Sequence, residues 1–374
     1  MIYLDNASTT QIDPVVVEAM LPYLKHNYGN PGSMHKLGTF AKYAVDNARE
    51  QVAALINAEP NQIIFTSGGS EANNMVIKCV NLPEDKPFIA YTAIEHDSII
   101  NAVNSTGKGI LMKVNHDGVV PLEQVEYALK QGAGLISVMY VNNETGSVNN
   151  IKEISKLCRK YGALIHTDCV QAISCKKVDV KDLDVDFVSI SSHKIHGCKG
   201  AGCLYVKNKD SISSLIHGGS VQEFGLRGGT ENVAGIVGFG EACFIQYAEG
   251  IPDYTLMKDH LCMVLSDILP EGSFRINCTT ANDHNKILSI TFFGIDAQTL
   301  VLMANTSDVL ISSGSACTSH ETKPSHVLKA IGMSDEDSYN TIRISFSKYT
   351  DMNDIDLAAK IIAKKAESLI KLKI

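Results

Sequence analysis

Phe187-Val188-Ser189-Ile190-Ser191-Ser192-His193-Lys194-Ile195-His196-Gly197 is the stretch on which the fold of this chain turns. A short uncharged run ends in small hydroxyl residues and then a lysine. The same rhythm recurs on either side of it, in Ile63-Ile64-Phe65-Thr66, Phe88-Ile89-Ala90-Tyr91, Leu135-Ile136-Ser137-Val138-Met139-Tyr140-Val141, Ala163-Leu164-Ile165-His166 and Cys203-Leu204-Tyr205-Val206. Amphipathic stretches separate these runs, which is the pattern of alternating strand and helix. Several runs lack polar alternation, so both of their faces are expected to be buried, as in a mostly parallel sheet covered by helices.

Beyond Thr230 the pattern turns helical through Ala248, and Gly250-Ile251-Pro252-Asp253 marks a boundary. A second, smaller α/β unit is expected after it, with strands at Ile287-Leu288-Ser289-Ile290-Thr291-Phe292 and Ile342-Arg343-Ile344-Ser345-Phe346 and a closing helix from Met352. No internal repeat is present. A length of 374 residues suits a large domain plus a smaller one.

Composition narrows the class. Hydrophobic residues make up 45% and charged residues 20%, an ordinary globular balance that makes extensive disorder unexpected. A net charge of −8 argues against a protein that grips nucleic-acid backbones or anionic membrane, so no direct nucleic-acid or membrane partner is expected. Met1-Ile2-Tyr3-Leu4-Asp5 reaches a carboxylate at once and has no basic, then apolar, leader pattern. No apolar run is long enough to cross a bilayer, and ten cysteines without a secretion signal read as reduced thiols, giving a cytoplasmic expectation. No CxxC pair is present, and His193 with His196 and Cys198 with Cys203 are closely spaced but are not the paired sets from two places that zinc normally takes, so no metal site is expected.

The chemistry-bearing residues cluster where strands end. Phe65-Thr66-Ser67-Gly68-Gly69-Ser70-Glu71 is a strand-to-helix corner that aims backbone N–H groups at an anion, although such corners more often serve plain capping. It lacks the lysine of a nucleotide-triphosphate loop. Lys194 follows a core run and must be paired, shifted in pKa or covalently occupied, for which a Schiff base with an aldehyde serves; an isolated lysine there would more often snorkel to the surface.

Asp168, in Ile165-His166-Thr167-Asp168-Cys169-Val170-Gln171, can pair with a pyridinium nitrogen or simply cap a helix. His96, in Ala93-Ile94-Glu95-His96-Asp97, can stack on a flat ring and carry protons, or be a structural histidine. Convergence raises the functional reading, because parallel strands gather their C-terminal ends at one edge, where ligands bind.

In the second unit, Cys317 lies in Ser312-Ser313-Gly314-Ser315-Ala316-Cys317-Thr318-Ser319, a small-residue setting suited to a reactive thiolate. Cys198, in a Gly-rich turn beside Lys194, is a second candidate; the remaining cysteines read as packed. Arg343 on its short apolar strand calls for a carboxylate, from substrate or from the protein itself.

Taken in order, these pieces resemble the cysteine desulfurases of the NifS/IscS type, in the class-V aminotransferase family of fold-type I pyridoxal-phosphate enzymes. The resemblance covers nearly the whole chain and also includes Leu4-Asp5-Asn6-Ala7-Ser8-Thr9-Thr10, Gly29-Asn30-Pro31, Val141-Asn142-Asn143-Glu144-Thr145-Gly146 and Gly225-Leu226-Arg227-Gly228-Gly229-Thr230-Glu231-Asn232.

It implies an α/β fold with a large domain, residues 14–250, built on a mostly parallel seven-stranded sheet. A smaller C-terminal α/β domain, residues 251–374 with 1–13, would carry the catalytic cysteine. It implies that Lys194 holds pyridoxal 5'-phosphate and acts as base at the substrate Cα. Asp168 would pair with the ring nitrogen, Gln171 and Asn143 would contact the phenolic side, and His96 would stack on the ring. Gly69, Ser70, Ser191 and His193 would cradle the phosphate, with Thr230 reaching it from the other subunit of a homodimer. Arg343 and Asn143 would hold L-cysteine, and Cys317 would take its sulfur as a persulfide, leaving L-alanine. A sulfur-acceptor protein, such as an iron–sulfur scaffold or a tRNA-thiolation enzyme, is the implied partner.

The chain departs from the family at Cys198, where many members carry proline, and at Cys169 and Val170, where small or hydroxylated residues are usual; local packing is what these put in question. Selenocysteine lyase and small-substrate aminotransferase activity are the rival readings within the fold, and a non-catalytic sulfur-relay partner is the rival outside it. A nicotinamide enzyme is disfavoured, since no strand leads into GxGxxG.

Overall fold

In the computed structural model of the protein, residues 1–281, 283–314 and 323–371 are described. Its centre is a seven-stranded sheet in the order Ile63–Thr66, Gly202–Val206, Phe187–Ser191, Leu164–Asp168, Ala133–Ser137, Phe88–Thr92, Gly109–Met112. Gly202–Val206 runs antiparallel to both of its neighbours, and every other pair is parallel. Most of these strands are buried along their whole length, which is why the sequence shows apolar runs without alternation. One apolar cluster packs on one face, with Ile136, Ile165, Val188 and Phe239 at its heart; a second, around Ile64, Met75, Leu135 and Phe187, packs on the other.

A separate core surrounds an antiparallel four-stranded sheet in the order Ser312–Ser313, Thr341–Ser345, Ile287–Phe292, Phe274–Ile276. Ile2 and Leu4 belong to this second core, and the Ile2–Tyr3 strand pairs in parallel with Val309–Leu310. The helix Met352–Lys371 lays Ile355, Ala359 and Ile362 against it.

Two details differ from the sequence reading. Gly109–Met112, with the apolar run Ile110-Leu111-Met112, is a largely exposed edge strand that the sequence reading did not pick out. The expected strand from Leu135 to Val141 stops at Ser137. Its neighbour Phe88–Thr92 ends there, and the Met139 N–H is taken instead by the buried carboxyl of Glu95, at 2.9 Å.

Candidate active site

Parallel strands deliver their C-terminal ends to one edge, and a cavity of about 460 Å³ opens there. Gly69 and Ser70 enter it from the corner after Ile63–Thr66, His96 from the turn after Phe88–Thr92, Asp168 and Gln171 from the end of Leu164–Asp168, and Ser191, His193 and Lys194 from the end of Phe187–Ser191. Asn143 lines it too, and Arg343 reaches it from the second sheet. The structure therefore brings these sequence-selected residues to one place. Thr230 does not line this cavity and is exposed. Cys317 lies outside the described residues.

Lys194 is buried in a short turn, and its Nζ donates to the carbonyls of Ala7, at 2.5 Å, and Ser8, at 2.8 Å. The N-terminal segment thus crosses directly over the lysine. Gln171 Nε2 donates to the same Ala7 carbonyl, at 2.8 Å, and its Oε1 is buried with no partner among the described residues.

Asp168 is buried and held on both oxygens: Oδ1 accepts from the Val170 N–H and Oδ2 from Asn73 Nδ2, each at 2.8 Å. Such a carboxylate is fixed in orientation and ready for a cation. His96 uses Nδ1 to cap the Asp97–Thr106 helix, accepting from the Ser98 N–H at 3.1 Å. That bond fixes the angle at which its ring faces the cavity.

The anion corner is close-packed. A side chain at Gly202 would meet the Ile190 carbonyl at 2.6 Å and Gly68 Cα at 2.7 Å, so only glycine lets the corner cross the neighbouring strand. Beside it, burial and the Lys194 charge push the His193 imidazole down to about 4, leaving it neutral at neutral pH, and its Nδ1 pairs with Thr9 Oγ1 at 3.1 Å.

Arg343 is almost wholly buried. Its Nη1 donates to the Asn143 carbonyl at 2.8 Å, and its Nη2 to Asp5 Oδ1 at 2.8 Å and Ser8 Oγ at 2.6 Å. Its Nε has no partner among the described residues. The protein thus supplies one carboxylate to this guanidinium and leaves donors over.

Cys198, whose reactivity the sequence left open, is packed. Its thiol is buried, directed at the Gly235 carbonyl at 3.4 Å, and pushed up by burial, because the turn tucks under the Val233–Glu249 helix. Cys169 is likewise fully buried and pushed up, so both of these cysteines are packing residues, while Val170 lines the cavity.

Several residues around the cavity escaped the sequence reading. Asn73 is a buried polar residue on the otherwise apolar face of the Gly69–Cys79 helix, and that mismatch is a signal the sequence does contain. Glu95 is wholly buried and pushed up to about 8 by burial; its Oε1 accepts from Thr92 Oγ1 at 2.6 Å. Glu144 lines the cavity, is pushed up by burial against the opposing charges of His326 and Arg343, and accepts from Ser325 Oγ at 2.5 Å. Glu144 lies inside one of the quoted family motifs, but nothing local in the sequence points to its partner Ser325 or marks His326.

With this geometry in view, the comparisons decide the family. Residues 2–357 match the model of the aminotransferase class-V family. The chain belongs to that family. It is 38% identical to a protein named cysteine desulfurase IscS from Clostridium botulinum, over 97% of this chain and 94% of that one. It is 39% identical to a cysteine desulfurase from Trichormus azollae, over 99% of this chain and 94% of that one. Among solved structures, a NifS-like protein from Rickettsia africae superposes with a TM-score of 0.87 at 32% identity, covering 99% of each chain. A structure described as SspA in complex with cysteine gives 0.80 at 32% identity, covering 94% of this chain and all of that one. The class-V fold explains the seven-stranded sheet and the smaller sheet alongside it.

Proposed function

We propose that this protein is a pyridoxal-phosphate-dependent cysteine desulfurase that converts L-cysteine to L-alanine and keeps the sulfur as a persulfide on Cys317. The observation that carries the reading is that one cavity receives the Lys194 amine, the doubly anchored Asp168 carboxylate and the Arg343 guanidinium. The cavity fits the cofactor on its own terms. Gln171 Oε1, buried with no partner among the described residues, and the glycine-lined corner carrying Ser70 and Ser191 form a polar floor and an anion cradle.

Lys194 would hold the cofactor covalently, Asp168 would pair with its ring nitrogen, and Gln171, Asn143 and His96 would bear on the ring. Gly69, Ser70, Ser191 and His193 would hold the phosphate, with Thr230 supplied by a second copy in a homodimer. Bound there, pyridoxal phosphate supplies an electron sink for bonds at the substrate Cα and Cβ.

The residues do the rest. Arg343, with Asn143, holds the substrate carboxylate by the donors it has left. Lys194 moves the proton at Cα. The Cys317 thiolate bonds to the substrate sulfur as the carbon–sulfur bond breaks, and the electron pair left on carbon takes a proton to give alanine. Residues 14–250 would form the cofactor-binding domain, with 1–13 and 251–374 as the second. The expected setting is cytoplasmic, with a sulfur-acceptor protein as partner; no described helix is long and apolar enough to cross a membrane.

The test is alanine and sulfide release from L-cysteine in the presence of a reducing thiol. Wild type releases both, Cys317→Ala loses sulfur transfer, and Lys194→Ala loses both turnover and the visible absorption of bound cofactor. Full turnover by Lys194→Ala would overturn the assignment.

A further inference from the structure

We propose that His326 is a further catalytic residue, the base that takes a proton from L-cysteine as it enters the cavity. This rests on the desulfurase reading and adds a step to it. A free amino acid arrives as an ammonium, and its nitrogen can act as a nucleophile only after losing a proton. The cavity holds few groups fit to receive one. His96 commits Nδ1 to the Ser98 N–H, His193 is held low chiefly by burial, and Lys194 is the residue that would hold the cofactor covalently.

His326 is held differently. It lines the cavity yet is solvent-exposed, which places it at the mouth. It opens the helix His326–Ala330, whose cap, Ser325, donates to Glu144 at 2.5 Å and accepts from the Leu328 N–H at 3.2 Å. Val327 and Leu328 are buried in an apolar cluster with Ile94 and Met139, which fixes the helix against the turn that carries His96. The ring itself pairs through Nε2 with the Glu95 carbonyl, at 2.9 Å. A carbonyl can only accept, so Nε2 carries the hydrogen and, in the neutral ring, Nδ1 keeps its lone pair.

The step balances simply. A proton passes from the substrate ammonium to Nδ1, the amine keeps its electron pair, and the imidazolium returns the proton to water at the open mouth. Nothing is oxidised or reduced. The Glu144 carboxyl interacts with both His326 and Arg343. The other ionisable groups around this step are Asp97 and His96 in the cavity wall, the fully buried Glu95, and Lys329 on the histidine's own helix, paired outward with Asp335.

A purely structural histidine would serve only as donor to Glu95, and glutamine can supply that N–H. The experiment therefore uses His326→Gln and His326→Ala in the cofactor-loaded enzyme. kcat/KM for alanine formation is measured from pH 5.5 to 9, together with the rate at which cysteine changes the cofactor's visible absorption. Loss of a general base predicts that His326→Gln lowers kcat/KM about thirty- to a hundredfold near neutral pH and slows the absorption change by a similar factor. The acid limb of the profile moves, and added imidazole restores part of the rate to His326→Ala.

Wild-type behaviour of His326→Gln overturns the proposal. So does a loss in both variants with an unchanged pH profile and no imidazole rescue. A wild-type enzyme that binds cofactor but makes no alanine from cysteine would instead bring down the desulfurase reading, and this assignment with it.

Discussion

Asn73 donates its side-chain amide to Asp168 Oδ2 at 2.8 Å, while the same nitrogen reaches Ser98 Oγ at 2.9 Å. One helix residue therefore ties the buried carboxylate of one strand to the turn that presents His96. Removing it leaves a buried carboxylate short of one hydrogen bond. A hydrogen bond to a charged group contributes about 1.5–3 kcal/mol. Asn73→Leu is accordingly expected to weaken cofactor retention about ten- to a hundredfold, read by titrating apoprotein with pyridoxal phosphate. Unchanged affinity would show that Asp168 needs no such support.

Arg343 offers its planar fork between Asp5, Ser8 and the Asn143 carbonyl. Lysine keeps the charge but has no fork with which to hold a protein carboxylate and a substrate carboxylate together. Arg343→Lys should raise KM for cysteine at least about tenfold, in line with the loss of a charge-assisted contact of about 1.5 kcal/mol or more, while bound cofactor keeps its absorption. Steady-state kinetics decide it, and an unchanged KM would mean that another residue anchors the substrate.

Glu95 gives a pH signature. Burial lifts its carboxyl to about 8, so the folded protein keeps the proton where the unfolded chain has lost it. Between the ordinary carboxylate value and about 8, the unfolded state binds fewer protons, and stability falls as pH rises. Glu95→Gln keeps the acceptor for Thr92 Oγ1 and the Met139 N–H and removes the titration. The variant's melting temperature should gain on wild type as pH rises from 5 to 8 and show little difference at pH 4. A difference independent of pH would count against a protonated Glu95.

Arg49 and Glu223 form a buried two-bond ion pair at 2.7 and 2.8 Å, and Glu223 also accepts from the Phe65 N–H at 2.6 Å. Glu223 does this from a left-handed backbone, φ 43°, followed by Phe224 at φ 58°, so the pair holds strained chain just before Thr230. Breaking a buried pair from one side typically costs about 3–5 kcal/mol. Glu223→Ala should lower denaturant stability by that order, and Arg49→Met with Glu223→Leu together should recover part of it. A single variant as stable as wild type would show that the pair carries little.

How much of this was legible beforehand follows from the range of each interaction. Lys194 and Asp168 stood out because each lies within a few residues of the end of an apolar run, and strand periodicity is a local property of the chain. Once the sheet is parallel, those ends must share an edge, so their meeting needed no coordinates. The ordered set of short motifs named the family for the same reason, since each motif is contiguous.

Asn73 was half legible, as a polar residue on an apolar helix face. Glu144, Ser325 and His326 were not, because their arrangement depends on chain brought together from positions 144 and 325. The capping role of His96, the carbonyls laid over Lys194 and the burial of Cys198 likewise came only with the packing. Local order is written in spacing along the chain; desolvation, hydrogen-bond partners and the pKa shifts they cause exist only once distant segments exclude water together.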